Sequence, residues 1–268
     1  MVNGSRFPLS IMPPDGTAPA PKSDGPPTQI VCAIHQPNFF PWLGFFDKIR
    51  RADVFVFLDE VPFNKSGSGM GCWTNRVRID IGGQPRWFGC PVLRERGEQL
   101  IRNIHIDEAQ PWRRRLLRTL ETNYRRAPYF APTMALIQPL IEHRTDKLLE
   151  FNTHAIHTIS AALGAQCRFM RQSEVRASGV ATERLIHLTR EVGANTYLAG
   201  DGASGYQEDA LFADSGIKLL HQRFAPKAYG DPARYIPGLS IIDLLMKAGF
   251  EAPFAFLGYF RQGYDPSV

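Results

Sequence analysis

The hydrophobic positions of this chain form short continuous runs that alternate with longer segments of helical periodicity. The runs at 30–34 and 53–58 are rich in β-branched and aromatic residues, and they have the length of strands buried on both faces. The segment 39–51 between them has apolar residues at helical spacing. A strand, a helix and a second strand within thirty residues predict a βαβ unit with a parallel sheet and a right-handed crossover.

The same alternation returns in the last third of the chain. Strands are predicted at 167–170, 196–199 and 217–222, and helices at 181–192, 208–215 and 239–248. Between the two parts, strands at 76–81 and 86–92 flank Gly82-Gly83 as a hairpin, and three helices fill 111–126, 133–142 and 145–163. We therefore expect an α/β fold with a mostly parallel, Rossmann-like sheet, a β-hairpin and a helical insert at about 111–163.

The two ends of the chain differ from this pattern. Residues 1–28 contain seven of the 21 prolines, with Gly and Ser, and have no strand or helix periodicity. Such a composition predicts a disordered tail. We expect a single α/β domain over 29–260 and a short C-terminal tail over 261–268.

Composition narrows the class of protein. Of the 268 residues, 44% are hydrophobic and 21% are charged, as in an ordinary globular protein. The net charge of +5 favours an anionic small-molecule substrate and does not require nucleic acid. Four cysteines without a C-x-x-C pair, no secretory segment and no apolar run of membrane-spanning length predict a cytoplasmic protein with reduced thiols.

Polar residues with useful chemistry follow three of the predicted strands. His35 and Asp59 come directly after a strand, and Asp201 comes two residues after one. Ligands of parallel sheets bind at the carboxyl ends of strands. The loops that follow contain Lys65, Asn75 and Arg76. Two simpler interpretations stay open: His35 as a core histidine that donates to a backbone carbonyl, and Asp59 as the cap of a turn.

Several other patterns allow both a functional and a structural interpretation. The segment 200–205 is an anion site at a helix N-terminus or an ordinary tight turn, and the glycine-rich 64–71 is a lid or a linker. His154 and His157 share a helix face, but no third ligand accompanies them, so we expect no metal. Cys72 and Cys90 lie in sequence beside the predicted site, and a nucleophilic role stays open for them.

Six arginines lie in the predicted helix 111–126, four of them close together. These four are Arg113, Arg114, Arg115 and Arg118. Such a cluster is either a solvated helix face or a docking patch for an acidic carrier protein. The composition leaves both interpretations open.

Residues 35–48, HQPNFFPWLGFFDK, followed by ADVFVFLD at 52–59, resemble the opening of the WbqC-like protein family. Further matches occur in the same order: WTNRVRI at 73–79, APYF at 127–130, YLAGDGA at 197–203 and LSIID at 239–243. The resemblance implies a role in a surface-polysaccharide or natural-product pathway. It points to these site residues: His35, Gln36, Asn38, Lys48, Asp59, Lys65, Asn75, Arg76, Gly200 and Tyr206.

These observations favour a transferase that moves an acyl or aminoacyl group from a thioester, on a carrier protein or coenzyme A, to an amine or hydroxyl. His35 would be the general base, Asp59 would orient it, and Asn38 or Asn75 would stabilise the oxyanion. We expect no cofactor. The remaining site residues would bind substrate: Gln36, Lys48, Lys65, Asn75, Arg76, Gly200, Asp201 and Tyr206.

Two alternatives remain. His35-Gln-Pro-Asn38 partly matches the histidine motif of nucleotidylyltransferases, with Asn38 in place of the second histidine. Nucleotidyl transfer would use Lys65 and Arg76 on phosphates. The other alternative is a non-catalytic module that binds a sugar nucleotide.

Overall fold

A computed structural model describes residues 28–64, 73–200 and 208–252. The strands are β1 Val31–His35, β2 Val54–Phe57, β3 Arg76–Ile81, β4 Gln84–Gly89, β5 Arg168–Arg171, β6 Thr196–Ala199 and β7 Lys218–His221. The helices are α1 Leu43–Arg51, α2 Trp112–Tyr124, α3 Phe130–Glu142, α4 Leu148–Ala162, α5 Ala181–Glu191, α6 Asp209–Asp214 and α7 Ile241–Ala248.

Five of the strands form one parallel sheet in the order β5-β2-β1-β6-β7, and β3 and β4 form a separate antiparallel hairpin. The predicted mixed α/β fold, with a parallel sheet, a hairpin and a helical segment, is confirmed. Strand order reverses at β1, which has β2 on one side and the later β6 on the other. In open α/β sheets the crevice above such a reversal is the usual place for a ligand.

Alternate residues of the sheet face two separate hydrophobic clusters. Phe55 and Phe57 of β2 pack in the larger cluster with α1 and the helices α2, α3 and α4. Val54 and Val56 point the other way and pack with α5 and Phe212 of α6. Because both faces of the sheet are covered, its strands are continuous apolar runs, as the sequence pattern indicated.

Several element boundaries differ from the prediction, and two of these differences have a clear backbone cause. The first helix, predicted at 39–51, begins at Leu43, because Phe40 has a positive φ of 41° and the following Pro41 disfavours helical backbone before it. The second hairpin strand, predicted at 86–92, is Gln84–Gly89. Gly82 and Gly83 both have positive φ and form a two-residue turn, so Ile81 pairs directly with Gln84.

The aromatic residues of α1 hold this helix on the sheet. Phe46 is 2% exposed within the larger cluster. Replacing it by Ala should lower the free energy of unfolding by about 3–5 kcal/mol, because the change leaves a cavity in a packed core. Urea denaturation measures this, with Leu93→Ala as the control, since Leu93 is 52% exposed. A loss below about 1 kcal/mol for Phe46→Ala would show that the ring is not core packing.

The predicted tails fall almost wholly outside the described residues, which begin at residue 28 and end at residue 252. Both tails and the outer domain bounds therefore stay predictions. Within the described ranges, no helix is both long enough and apolar enough to cross a membrane.

Candidate functional site

A pocket of about 320 Å³ lies at the carboxyl ends of β1 and β6, where the strand order reverses. Its lining comes from the end of β1, the loop after β2, the start of α5, the end of β6 and one side chain of α1. These residues are Ile34, His35, Gln36, Lys48, Leu58, Val61, Ala181, Arg184, Leu185, Tyr197 and Gly200. Four predicted site residues, His35, Gln36, Lys48 and Gly200, therefore meet in one cavity.

His35 is held in a defined orientation. Its Nδ1 lies 3.0 Å from the backbone oxygen of Gln36, and its ring meets Phe45 edge-on with 5.0 Å between centroids. A carbonyl oxygen only accepts hydrogen bonds, so Nδ1 donates and carries the proton of the neutral ring. Nε2 is then the unprotonated nitrogen of this tautomer, and its lone pair is available as a base or acceptor.

The charge state of His35 follows from its surroundings. Burial, and then the positive charge of Lys48, lower the pKa of His35 from 6.5 to about 4. The hydrogen bond to Gln36 opposes this change but does not cancel it. His35 is therefore neutral at pH 7, which is the form that accepts a proton.

Lys48 brings a buried positive charge into the pocket. Its side chain is 3% exposed, and Nζ donates to the backbone oxygen of Ile34 at 2.9 Å. Nζ also lies 5.9 Å from the centroid of the Tyr197 ring. A Cβ on Gly200 would lie 3.6 Å from Nζ, at ordinary van der Waals distance, so Gly200 lies in the pocket wall next to Lys48.

Arg184, which the sequence analysis missed, supplies a second cation. It lies in the first turn of α5, and its Nε donates to the backbone oxygen of Gly179 at 3.1 Å. No acidic residue is present in the pocket lining among the described residues. With Lys48 and Arg184 both in that lining, the pocket favours an anionic ligand.

Asp59 is buried at the end of β2, the strand next to β1, which carries His35. Its carboxylate accepts two hydrogen bonds from Ser173, from the backbone N at 3.0 Å and from Oγ at 2.6 Å. Ser173 follows β5, so this carboxylate fixes the end of β2 to the turn after β5. The contact that orients His35 comes from the Gln36 carbonyl instead, and the contacts of Asp59 match the alternative in which it stabilises a turn.

The predicted residues of the hairpin entrance do not line the pocket. The Asn75 amide donates to the backbone oxygen of Cys90 at 3.0 Å, and the Arg76 guanidinium lies 4.3 Å from the centre of the Trp87 ring. Asn38 is 5% exposed in the loop after β1. Cys90 is fully buried, and burial raises the pKa of its thiol, so it is poorly suited to act as a nucleophile.

Asn152 of α4 is a second residue that the sequence analysis missed as a site component. It is fully buried, and its Nδ2 donates to the backbone oxygens of Pro37 at 2.8 Å and Thr74 at 2.7 Å. It therefore ties the loop after β1 to the start of the hairpin. Thr74 also donates through Oγ1 to Oε1 of Gln36, at 3.4 Å. The signal in the sequence was a polar residue on the apolar face of the predicted helix 145–163.

Several predicted groups lie outside the described residues or have other surroundings. Lys65, Cys72, Asp201 and Tyr206 fall in segments that the structure does not describe, and their roles stay predictions. Within the described ranges, no three His, Cys, Asp or Glu side chains come together as a metal site. Arg113 is 7% exposed, and its guanidinium donates to Glu108 and to the backbone oxygen of Ile141.

The link between Lys48 and His35 can be tested without a substrate. Lys48→Met keeps the volume but removes the positive charge that disfavours protonation, so the pKa of His35 should rise part of the way toward 6.5. A histidine NMR titration measures this, with Arg114→Met on the exposed side of α2 as the control. An unchanged His35 titration in Lys48→Met would contradict the assigned electrostatics.

Comparisons with known proteins agree with the resemblance seen in the sequence. The model of the WbqC-like protein family matches residues 36–254. Rv1507c of Mycobacterium tuberculosis (strain H37Rv), described as an uncharacterized protein, is 31% identical over 236 residues, which cover 86% of this chain and 98% of the relative. No solved structure matches this chain.

Proposed function

The chain belongs to the WbqC-like protein family, and we propose that it is a biosynthetic transferase that moves an acyl or aminoacyl group from an activated thioester to an amine or hydroxyl. One observation carries the proposal: a neutral, oriented His35 lies in a pocket with two cations and, among the described lining residues, no carboxylate. This combination supplies a base for the acceptor and positive charge for an anionic donor.

In the proposed reaction, Nε2 of His35 takes the proton of the acceptor as its nitrogen or oxygen attacks the thioester carbonyl carbon. The carbon–sulfur bond of the tetrahedral intermediate then breaks, and the imidazolium returns the proton to the departing thiolate. A base with a pKa of about 4 is weak at pH 7. A bound anionic donor opposes the effect of Lys48 and raises the pKa of His35 toward a useful value.

The other residues of the pocket lining suit both parts of such a donor, its charged group and its acyl chain. Lys48 and Arg184 provide positive charge for a phosphate or carboxylate group and for the oxyanion that forms at the carbonyl. Leu58, Val61 and Leu185 provide apolar surface for an acyl chain or the arm that carries it. Asn38, in the adjoining loop, remains a proposed donor to the oxyanion.

The proposal is tested with acetyl and aminoacyl thioesters of N-acetylcysteamine and a panel of amino sugars and amino acids as acceptors. Release of free thiol with formation of an acylated acceptor, seen by mass spectrometry, supports the proposal. His35→Gln should lose this activity, and His221→Gln, at an exposed histidine of β7, should keep it. Equal rates for the wild-type protein and His35→Gln would overturn it.

Nucleotidyl transfer is a second candidate, favoured by the position of the pocket at the strand-order reversal, where nucleotides bind in open α/β sheets. Lys48 and Arg184 would then hold phosphates. Arg76, expected to do so, stacks on Trp87 and is absent from the lining, while Lys65 lies outside the described residues. Pyrophosphate release from nucleoside triphosphates, without thiol release from thioesters, would favour this candidate.

A non-catalytic sugar-nucleotide-binding module makes a different prediction. In that case the His35→Gln protein would still support formation of the pathway product, because no proton transfer depends on the imidazole. Comparison of the pathway product with wild-type protein, with His35→Gln and without the protein distinguishes this alternative.

A further inference from the structure

The hairpin carries a surface of tryptophan and arginine side chains outside the pocket. This hairpin surface consists of Trp73, Arg76, Arg78 and Trp87. The two indole rings meet edge-on with 4.9 Å between centroids, and the Arg76 guanidinium lies over Trp87 at 4.3 Å. Trp87 is 42% exposed, and every residue of β4 except Phe88 is exposed.

The composition of the hairpin surface is that of a protein interface. Trp and Arg are the residues that most often dominate the binding energy of such interfaces. Arg76 and Arg78 are already held against indole rings, and Nη2 of Arg78 donates to the backbone oxygen of Gly238 at 3.2 Å. Side chains ordered before binding lose less conformational entropy when a partner docks.

The positive charge of the hairpin surface indicates an acidic partner. The hairpin strands carry Arg76, Arg78 and Arg86 against a single acidic residue, Asp80. Asp80 is paired with Lys247 of α7 at 2.9 Å, so it does not offset the arginines. Electrostatic complementarity then favours a partner that presents carboxylates.

The hairpin surface is fixed beside the pocket. Trp73 accepts a hydrogen bond at its backbone oxygen from Phe39 N, at 2.8 Å, and the next residue, Thr74, contacts Gln36 of the pocket lining. Arg76 is two residues further along, so its Cα is at most about 7.6 Å from that of Thr74. A partner docked on Trp87 and Arg76 would therefore sit near the Gln36 side of the pocket.

We propose that the hairpin surface docks an acidic carrier protein that delivers the thioester to the pocket on a flexible phosphopantetheine arm. The inference rests on the proposed function and names the donor within it. It differs from the predicted patch on α2, of which Arg113 is buried and bonded to Glu108 while Arg114, Arg115 and Arg118 are exposed.

The described residues suit coenzyme A less well as a donor than a carrier-borne thioester. Its nucleotide end carries several phosphates and requires a basic cavity of its own. A cavity of about 940 Å³ lies beside α7, but Asp80, Asp231 and Asp243 line it together with Arg234 and Lys247. These carboxylates disfavour phosphates, whereas the hairpin offers an exposed strand suited to a protein.

The test compares one acyl group on two donors. Acetyl is supplied on an acidic, phosphopantetheine-bearing acyl carrier protein and on N-acetylcysteamine, which cannot use the docking surface. Trp87→Ala and Trp87→Glu should raise KM for the carrier-borne donor by roughly 10-fold or more, with the larger effect for Glu. Both should leave turnover of the small donor unchanged.

Tyr129→Glu is the matched control, because Tyr129 is an aromatic residue with the same 42% exposure at another place on the surface. Arg114→Glu tests the exposed arginines of α2. Equal effects of the Trp87 changes on both donors would overturn the proposal, as would a loss confined to Arg114→Glu. The proposal would also be overturned if the Trp87 changes raised KM for a coenzyme A thioester while the carrier-borne donor was not turned over.

Direct titration of the holo-carrier by calorimetry separates this inference from the proposed function. If neither donor is turned over, the proposed function fails, while binding that Trp87→Glu abolishes and Tyr129→Glu preserves still supports docking. Absence of binding to the wild-type protein would overturn the docking proposal alone.

Discussion

Replacing His35 by Gln should reduce turnover by roughly 10²–10⁴-fold, the usual contribution of a general base, while the protein still folds. Gln fills similar space and can donate to the Gln36 carbonyl, but it has no nitrogen that accepts a proton in the way that Nε2 does. Thiol release measures the turnover, and circular dichroism with thermal melting checks the fold. A His35→Gln protein with full activity would end the acid–base assignment.

The Asp59→Asn variant, alone and combined with His35→Gln, extends the same experiment. The sequence suggested that Asp59 and His35 act as one unit, which predicts a double variant no worse than His35→Gln alone. The hydrogen bonds of Asp59 go to Ser173 instead. From these contacts we expect Asp59→Asn to lower the free energy of unfolding and to keep most of the turnover, whereas an orienting role predicts a clear loss of turnover in this single variant. A loss of turnover in Asp59→Asn that disappears when the change is added to His35→Gln would restore the original interpretation.

Replacing Asp243 by Ala should lower the free energy of unfolding by about 3–5 kcal/mol, because it leaves buried polar partners unpaired. Asp243 is 1% exposed, and its two carboxylate oxygens accept hydrogen bonds from the hydroxyls of Tyr124 and Tyr229, each at 2.8 Å. Lys247 lies 2.9 Å from the same carboxylate and also from Asp80. This network fastens α7 and α2 to the end of β3.

Urea denaturation checks the effect of Asp243→Ala. The control is Asp214→Ala, since Asp214 is an exposed acidic residue of α6 and surface changes usually stay within about 0.5 kcal/mol. Asp243→Asn should fall between the two, because it keeps an acceptor oxygen while losing the charge. A loss below about 1 kcal/mol for Asp243→Ala would show that the network does not fasten these elements.

The parallel sheet could be predicted because strands buried on both faces leave continuous apolar runs. β6 has the predicted bounds, 196–199, and the other sheet strands differ by one residue at each end. The backbone of residues 39–42 could not be predicted in the same way. Phe39 and Phe40 are fully buried there, so their apolar pattern resembles a helix, while the positive φ of Phe40 depends on tertiary packing.

The sequence predicts those residues of the site that lie at the ends of strands. His35 and Gln36 lie at the pocket because β1 ends there, and Gly200 lies there because β6 does. The direction of a side chain does not follow from a strand end, which explains why Asp59 meets Ser173. Arg184 reaches the pocket from a helix distant in sequence, and only the packing of α5 on the sheet brings it there.

We propose that His35 is a neutral base with its lone pair on Nε2, facing a pocket that attracts anions. The most direct test is an NMR titration of the ¹⁵N-labelled histidine ring in the wild-type protein, assigned with His35→Gln. We expect a proton on Nδ1 and none on Nε2 at pH 7, with protonation of Nε2 only as the pH falls toward about 4. A ring that carries its proton on Nε2, or that titrates near 6.5, would contradict it.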